Sequence, residues 1–196
     1  ALRRPAEARP HSARPLGAQP VVFRLGVLLI AAAHRVIKEG QVLAGRYKLV
    51  RPLGQGSQAF VWVAEHLALG SQVAVKLIDP ELAKQEDARE RFRREATAAA
   101  QLRSAHVVQI LDHGIEGEQP FIVMELLEGE DLFDRLESRE RLTLLEAATV
   151  VTQVARALAR AHAAGIVHRD MKPENVFLCH NDDEEHVKVL DFGVAK

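Results

Sequence analysis

The sequence predicts an α+β fold, with a sheet in its first part and helices in its second part. Apolar, β-branched runs that predict strands are concentrated between residues 49 and 126, and one amphipathic helical pattern lies among them. The longest helical pattern, 143–164, follows these strands. Strands first and helices later along the chain are typical of α+β domains.

Composition and charge limit the classes of partner. The 196 residues suffice for one domain core, or for a smaller core with extensions. Hydrophobic residues make up 47% and charged residues 27% of the chain, as in ordinary soluble domains. The net charge of −1 gives no reason to expect nucleic acid or an acidic membrane as partner. One cysteine, Cys179, excludes an intramolecular disulfide and fits a reducing, cytoplasmic compartment.

Residues 1–40 predict a disordered or partly helical extension. Prolines at every fifth position of residues 1–20 prevent a helix there, and few residues are apolar enough to pack. Residues 21–37 are more apolar, but their uninterrupted core, 25–33, is too short to span a bilayer. An extension without a function of its own, an anchor and translated upstream sequence all stay open for this part of the chain.

A glycine-rich stretch separates the first two predicted strands, 49–53 and 60–65. It reads Gly54-Gln55-Gly56-Ser57-Gln58-Ala59. Glycines let backbone N–H groups approach phosphate oxygens closely. Taken by itself, such a loop is a weak indication of nucleotide binding.

The next strand, 73–78, carries Lys76 among apolar neighbours. A lysine on the solvent face of the strand is one interpretation, and a buried ammonium with a charged partner is the other. The following helical pattern, 87–103, offers Glu95 as that partner. Glu95 shares the inward face of the helix, which is defined by helical spacing of Phe92, Ala96, Ala99 and Leu102.

Two further strands and one long helix complete the pattern. Residues 107–111 and 121–126 predict a strand pair that brings the antiparallel sheet to five strands. In the helix 143–164, Thr143 and Glu146 form a capping box. Its predicted buried stripe consists of Ala147, Val150, Val151, Val154, Leu158 and Ala161.

Three oxygen-bearing side chains follow this helix, and a short hairpin can bring them together. Residues 176–178 and 187–190 predict two strands joined by a polar turn. Asp170 and Asn175 precede the hairpin, and Asp191 follows it. Hard cations such as Mg²⁺ bind carboxylate and amide oxygens, usually together with phosphates. A further carboxylate beside them could accept a proton from an attacking hydroxyl.

The stretch His168-Arg169-Asp170-Met171-Lys172-Pro173-Glu174-Asn175 resembles the catalytic loop of eukaryotic-type protein kinases. Asp191-Phe192-Gly193 resembles the metal-binding motif of that family. The glycine-rich stretch is similar to the family's phosphate loop, with Ala59 in place of the third glycine. Residues 73–78 are similar to its lysine-bearing strand. The resemblance implies a kinase N-lobe and hinge over 41–127, and a partial, mainly helical C-lobe over 128–196.

The resemblance implies roles for the polar residues. Asp170 would orient the substrate hydroxyl and accept its proton, and Lys172, typical of serine/threonine-specific members, would steady the γ-phosphate. Lys76, paired with Glu95, would contact the α- and β-phosphates. Two Mg²⁺ ions, or Mn²⁺ in their place, would be held by Asn175 and Asp191.

The resemblance also implies an ATP site. Phosphate contacts would come from the residues of the glycine-rich loop: Leu53, Gly54, Gln55, Gly56, Ser57, Gln58 and Ala59. Val61, Ala74 and Phe177 would be apolar walls for adenine. Met124 would be the gatekeeper, and Glu125-Leu126-Leu127 the hinge whose backbone pairs with adenine. Asp131 would meet the ribose hydroxyls, with a helix N-cap as the alternative.

The implied function is that of a bacterial serine/threonine protein kinase, with protein substrates and homodimerisation for autophosphorylation. A nucleotide-binding pseudokinase or scaffold is one alternative, and a small-molecule phosphotransferase of the same fold is another. Lys76, Asp170 and Asp191 are all present, which argues against a pseudokinase. Because the resemblance stops at the start of the activation segment, we expect an exposed apolar patch and little activity. We expect the segment itself to make no membrane contact, while an anchor further downstream stays open.

Overall fold

The computed structural model describes residues 37–55, 59–181 and 184–192. Within these residues, six antiparallel strands form the larger sheet, in the order β1-β2-β3-β4-β6-β5. Four of them correspond to predicted strands, a fifth overlaps the predicted strand 107–111 only at residues 110–111, and a two-residue edge strand, β1, is added. Their bounds are β1 Val42–Leu43, β2 Tyr47–Gln55, β3 Ala59–His66, β4 Ser71–Ile78, β5 Ile110–Glu116 and β6 Gln119–Glu125.

Alternation along β4 divides the sheet into two faces. Val73, Val75 and Leu77 belong to a core cluster with Leu49 and Val123 on one face. Ala74, Lys76 and Ile78 therefore lie on the other face, where Ile78 packs with Ile122 of β6. This second face is also the one that the first helix covers.

Helix α1 spans Glu86–Ala100 and packs on this second face through Phe92, Ala96 and Ala99. The predicted inward stripe is confirmed, and Leu102 is also buried although the helix ends before it. The predicted extension of the helix to residue 103 was wrong, because the chain leaves the helix at Gln101, whose N–H bonds to the carbonyls of the preceding turn.

The predicted strand 107–111 was misplaced. Val107 and Val108 lie outside the larger sheet, and Val107 forms a parallel bridge with Val189. The sheet strand begins at Ile110 and includes Asp112. Val107 and Val108 therefore connect the segment after α1 to Val189 of the small sheet. Polar residues fit in this strand because they form hydrogen bonds. Asp112 Oδ2, for example, accepts the hydroxyl of Tyr47 at 2.7 Å.

Two helices and a small sheet form the second part. Helix α2 spans Leu132–Arg139 and α3 spans Leu144–Ala163. The capping box of Thr143 and Glu146 is confirmed. The stripe is confirmed in part: Val150 and Ala161 are buried together with Ala157, whereas Val151 is 66% exposed. Val151 was wrongly assigned because it lies one residue, about 100° of helix rotation, away from Val150.

The predicted hairpin is present and forms two of the three strands of the small sheet. Strands β7 Gly129–Asp131, β8 Val176–Asn181 and β9 Glu184–Val189 pair in that order, all antiparallel. Val176 lies opposite Val189, so the segments before β8 and after β9 emerge at the same edge. The Val189 N–H donates to the His106 carbonyl at 2.9 Å, which joins this sheet to the chain that follows α1.

Candidate active site

The loop after α3 is held against the end of the hairpin by His168. Helix α3 is followed by Gly165, whose φ of +74° is a conformation that glycine adopts without strain. His168 is buried, and its Nε2 lies 2.7 Å from the Leu190 carbonyl oxygen. Its Nδ1 accepts the Asp170 N–H at 3.3 Å, so the ring is the Nε2–H tautomer. The ring also packs edge-on against Phe192, with 4.8 Å between centroids.

Asn175 connects Asp170 to the hairpin. Its amide nitrogen donates to the Asp170 carbonyl at 2.8 Å and approaches Asp170 Oδ2 at 3.4 Å. The backbone carbonyl of Asn175 accepts the N–H of Leu190, which immediately precedes Asp191, at 2.9 Å. The three oxygen-bearing residues of the sequence analysis are therefore brought together, as the hairpin predicted.

The donor set at this point fits a hard divalent cation. Because the amide nitrogen of Asn175 is committed to Asp170, its amide oxygen is the atom it would present to a metal ion. Asp191 adds a carboxylate. Across the described residues, no three His, Cys, Asp or Glu side chains form a metal-binding group. The amide oxygen of Asn175 and the carboxylate of Asp191 would suit Mg²⁺, which completes its coordination with water and phosphate oxygens.

Two residues of this region have backbone conformations that side chains rarely adopt. Arg169 has a φ of 65° and Asp191 a φ of 54°. Non-glycine residues in the left-handed region cost about 1 kcal/mol or more each, and such residues are concentrated at functional sites. Here Arg169 and Asp191 turn the chain on the two sides of the hairpin.

A lysine lies beside the Asp170 carboxylate. The Nζ of Lys172 is 4.0 Å from Asp170 Oδ2.

Lys76 pairs with Asp191, and the predicted pair with Glu95 is not formed. The Lys76 Nζ lies 2.7 Å from Asp191 Oδ1. Glu95 is half-buried on α1, and among the described residues no ion pair joins it to Lys76. Helical spacing showed which face of α1 carries Glu95, but it contains no information on the distance from that face to β4. The turn at Asp191 brings a competing carboxylate to the ammonium.

The predicted phosphate loop lies partly within the described residues. Gly54 pairs with Val61 and Gln55 with Phe60 across β2 and β3, so the two strands converge on the loop. Leu53, Gly54 and Ala59 are half-buried at its base. Gly56, Ser57 and Gln58 lie outside the described residues, as does Gly193.

Two of the three predicted adenine walls, Val61 and Ala74, lie on the sheet face that carries Lys76. Val61 is opposite Lys76 across β3 and β4, and Ala74 is opposite Met124 across β4 and β6. Cross-strand partners point to the same side of a sheet. Met124 packs against the cluster beneath α1. Val61, Ala74, Lys76 and Met124 therefore share one surface.

The hinge carries a charge pair that the sequence analysis missed. Glu125 Oε1 accepts the Lys188 ammonium at 2.6 Å and the Gln109 N–H at 2.7 Å. Glu125 lies opposite Val73 and thus points away from the face of Ala74 and Lys76. No sequence signal identified Lys188, which occupies a polar position between Val187 and Val189 in a strand. Leu127, two residues further along the hinge, is half-buried.

Asp131 is the N-cap of α2, one of the two roles left open. Its Oδ1 accepts the Asp134 N–H at 2.9 Å. Burial raises the pKa of Asp131, and the backbone hydrogen bonds lower it only in part. Phe177 lies directly opposite Asp131 in the β7–β8 register. The predicted ribose ligand and the predicted adenine wall are thus neighbours.

A buried arginine close to Asp131 was also missed. Arg135 has only 3% of its surface exposed and pairs with two carboxylates, Glu130 and Glu185. In the sequence it stands in a charged segment, where an arginine is ordinarily solvated. Its partner on β9 is distant in the chain and has no recognisable spacing.

The model of the protein kinase domain matches residues 47–196. The chain belongs to the protein kinase family. Its kinase relatives include the probable serine/threonine-protein kinase pknA2 of Bifidobacterium longum, 40% identical over 80% of this chain and 21% of the relative. Serine/threonine-protein kinase PknA of Mycobacterium tuberculosis is also 40% identical, over 80% of this chain and 37% of PknA.

A solved kinase structure shares the fold. The crystal structure of the Mycobacterium tuberculosis PknI kinase domain superposes with a TM-score of 0.73 at 33% identity. The match covers 82% of this chain and 64% of that kinase domain. The chain therefore spans about two-thirds of that domain and smaller parts of the curated relatives. The described part of this kinase chain contains no helix with the length and apolar character needed to cross a membrane.

Proposed function

We propose that this chain acts as a serine/threonine protein kinase, transferring the γ-phosphate of ATP to serine and threonine hydroxyls of proteins. The observation that carries the proposal is the meeting of Asp170, Asn175 and Asp191 at the edge of the hairpin, with Lys76 2.7 Å from Asp191. The relatives named as serine/threonine kinases support the substrate class. Lys172, the residue typical of such kinases, supports it as well.

Asp170 is the proposed acceptor of the substrate proton. Its backbone is tied to His168 and Asn175, so its carboxylate is held at a fixed place beside the hairpin. Lys172, 4.0 Å from that carboxylate, would place a positive charge where the γ-phosphate is transferred. Such positioning and charge neutralisation provide most of the catalysis in phosphoryl transfer.

Asn175 and Asp191 are the proposed metal ligands, and Lys76 the proposed phosphate contact. Mg²⁺, or Mn²⁺ in its place, would neutralise phosphate charge when bound. The Asn175 amide oxygen and the Asp191 carboxylate would hold the ion. Lys76 would exchange its carboxylate partner for phosphate oxygens, and we propose that Glu95 becomes its partner in that state.

The surface formed by Val61, Ala74 and Met124 is the proposed adenine site. Phe177 would close it from the hairpin, and the backbone of Glu125 and Leu127 would bond to adenine. Leu53, Gly54, Gln55 and Ala59, with Gly56, Ser57 and Gln58, would line the phosphates. The proposal includes autophosphorylation in a homodimer and a cytoplasmic location, where ATP is available.

Calorimetric titration with Mg²⁺-ATP tests the proposal directly. The chain spans 64% of the PknI kinase domain, so binding is a better first readout than turnover. We expect the chain to bind, and Lys76→Met and Asp191→Ala to bind about tenfold or more weakly. Lys48→Met and Asp87→Ala, at exposed positions outside the site, should bind normally.

Phosphate transfer separates a kinase from a protein that only binds nucleotide. Labelled phosphate should pass from ATP to a serine- or threonine-containing protein, and Asp170→Asn should abolish this transfer while binding is kept. A folded chain that binds no Mg²⁺-ATP would contradict the proposal. Binding without any transfer would favour the scaffold alternative.

A further inference from the structure

Arg135 is an almost fully buried cation that joins three elements. It lies on α2, and its Nε donates to Glu130 Oε1 of β7 at 2.5 Å. Its Nη2 donates to Glu185 Oε2 of β9 at 2.6 Å. A guanidinium presents several donors in a rigid plane and can satisfy two carboxylates at once, which an ammonium on a flexible chain does less well. The geometry is therefore specific to arginine.

The helix that carries Arg135 needs such an attachment. Helix α2 has eight residues, too few to be stable in isolation. Leu132 packs against the cluster of α3 and the hairpin, whereas Phe133 is 45% exposed. One turn later, the ion pairs of Arg135 attach the helix to β7 through Glu130 and to the hairpin through Glu185. These two points determine how α2 lies on the small sheet.

The same helix begins at Asp131. Arg135 follows Asp131 by four residues, about one helical turn. Glu130, which accepts from Arg135, is the chain neighbour of Asp131 and lies opposite Leu178 in β8. A change in the Arg135 pairs would therefore shift both the cap residue and the strand that leads to it.

We propose that Arg135, together with Glu130 and Glu185, is a positioning residue that holds the Asp131 carboxylate where it binds the ribose hydroxyls of ATP. This inference rests on the proposed function, because it needs ATP in the site, and it adds to that proposal the ribose contact that the resemblance implies for Asp131. Arg135 itself would not touch the nucleotide. Its effect would appear only where ribose hydroxyls are present to be bound.

A merely structural ion-pair network would behave differently. Loss of such a network would lower the stability of the chain and weaken the binding of every adenine nucleotide by the same factor. A positioning role predicts a selective effect, in which the advantage of ATP over an analogue without ribose hydroxyls is lost. The ratio of the two affinities thus distinguishes the roles.

The test titrates the full chain with Mg²⁺-ATP and with Mg²⁺-2′,3′-dideoxy-ATP by calorimetry. Arg135→Lys keeps the charge, and Glu185→Gln removes one of the two pairs. Arg139→Lys is the matched control on the same helix, where Arg139 is 55% exposed and pairs with Glu146 at 3.3 Å. A melting curve for each variant shows that it is folded at the temperature of the titration.

We expect the wild-type chain to bind ATP about tenfold more tightly than the dideoxy analogue, the worth of a hydrogen bond to a charged group. Arg135→Lys should bring this ratio close to one, Glu185→Gln should reduce it by about half on a logarithmic scale, and Arg139→Lys should leave it unchanged. Should Arg135→Lys fail to fold, the ratio for Glu185→Gln decides.

Two results would overturn the inference without contradicting the proposed function. One is an unchanged ratio in the folded Arg135 and Glu185 variants, which includes an equal loss of affinity for both nucleotides. The other is a wild-type chain that does not discriminate between them. If the wild-type chain bound neither nucleotide, the proposed function would fall, and this inference with it.

Discussion

The side-chain nitrogen of Lys76 lies 2.7 Å from a carboxylate oxygen of Asp191. The lysine belongs to the larger sheet, whereas the aspartate follows the hairpin of the small sheet, so one ion pair closes the site between them. Lys76 has 17% of its side chain exposed and Asp191 43%. In this arrangement the proposed phosphate contact and the proposed metal ligand neutralise each other.

We expect Asp191→Asn to have opposite effects on ATP affinity in the absence and in the presence of metal. In the absence of metal, the Asp191 carboxylate competes with phosphate oxygens for Lys76. Its removal should tighten metal-free ATP binding by about twofold to fivefold, within the range of a partly exposed ion pair. With Mg²⁺ present, the same variant should bind more weakly than the wild-type chain, because one metal ligand is lost.

Paired titrations in EDTA and in Mg²⁺ measure both effects. Asp87→Asn, at an exposed position in the first turn of α1, is the control and should follow the wild-type chain in both buffers. If Asp191→Asn bound ATP no more tightly in EDTA, the ion pair would not restrain Lys76.

The raised pKa of Tyr47 leads us to expect a loss of stability at alkaline pH. Burial, followed by the hydrogen bond to Asp112, raises the pKa of Tyr47 to about 12. The unfolded chain releases this proton near pH 10, while the folded chain retains it. The contribution is therefore complete below pH 10, and the free energy of unfolding should fall as pH rises from 10 to about 12.

Tyr47→Phe is the variant that isolates this dependence. It should cost about 1 kcal/mol at neutral pH, where the hydroxyl donates to Asp112. The difference between the two proteins should then shrink as pH rises from 10 towards the pKa of Tyr47. Urea unfolding at several pH values measures it, and a difference that stayed constant up to pH 12 would show that Tyr47 is not the titrating group.

Local pattern predicted the parts of the site that depend on neighbouring residues in the chain. The hairpin that brings Asn175 towards Asp191 follows from two apolar runs and a polar turn. The capping box at Thr143 follows from residues three apart. In both cases the partners are set by short-range geometry, so the sequence contains the necessary information.

The features that the sequence did not predict depend on distances between elements. The sequence offers both Glu95 and Asp191 as partners for Lys76, and the choice between them depends on how α1 and the end of the hairpin are placed relative to β4. Lys188 and Arg135 find their carboxylates on other elements, with no recurring spacing. Charged residues are ordinarily solvated, so a buried pair is invisible until the fold brings both partners together.

The pair of Glu125 and Lys188 should stabilise the connection between the hinge and the hairpin. Lys188 is 14% exposed and Glu125 30%, so both charges are largely removed from water. Lys188→Met leaves the Glu125 carboxylate with the Gln109 N–H and no cation. We expect a loss of about 2 kcal/mol in the free energy of unfolding, below the range for fully buried pairs.

A double-mutant cycle with Glu125→Gln measures the coupling of this pair by urea unfolding. Lys84→Met breaks a solvent-exposed pair with Glu81 and should leave stability almost unchanged. Additive losses in the Glu125 and Lys188 variants would show that the two charges do not stabilise each other.

Helix α3 should respond very differently to substitution on its two faces. Val150 is 7% exposed and packs with Val176, Leu178 and Val187, so Val150→Ala should cost about 2 kcal/mol through lost burial and a residual cavity. Leu144 and Leu145 are 89% and 78% exposed, and polar replacements there should change the free energy of unfolding by less than about 0.5 kcal/mol.

The exposed leucines should instead affect the binding of apolar molecules to this surface of α3. Leu144 and the 66% exposed Val151 are seven residues apart and share one face of α3. Contiguous apolar surface of this kind binds hydrophobic dyes and promotes self-association. Leu144→Gln combined with Leu145→Gln should lower dye binding and the tendency to associate in sedimentation, with the melting temperature unchanged. A large loss of stability in this double variant would show that the leucines are packed, and that this face of α3 is not exposed in solution.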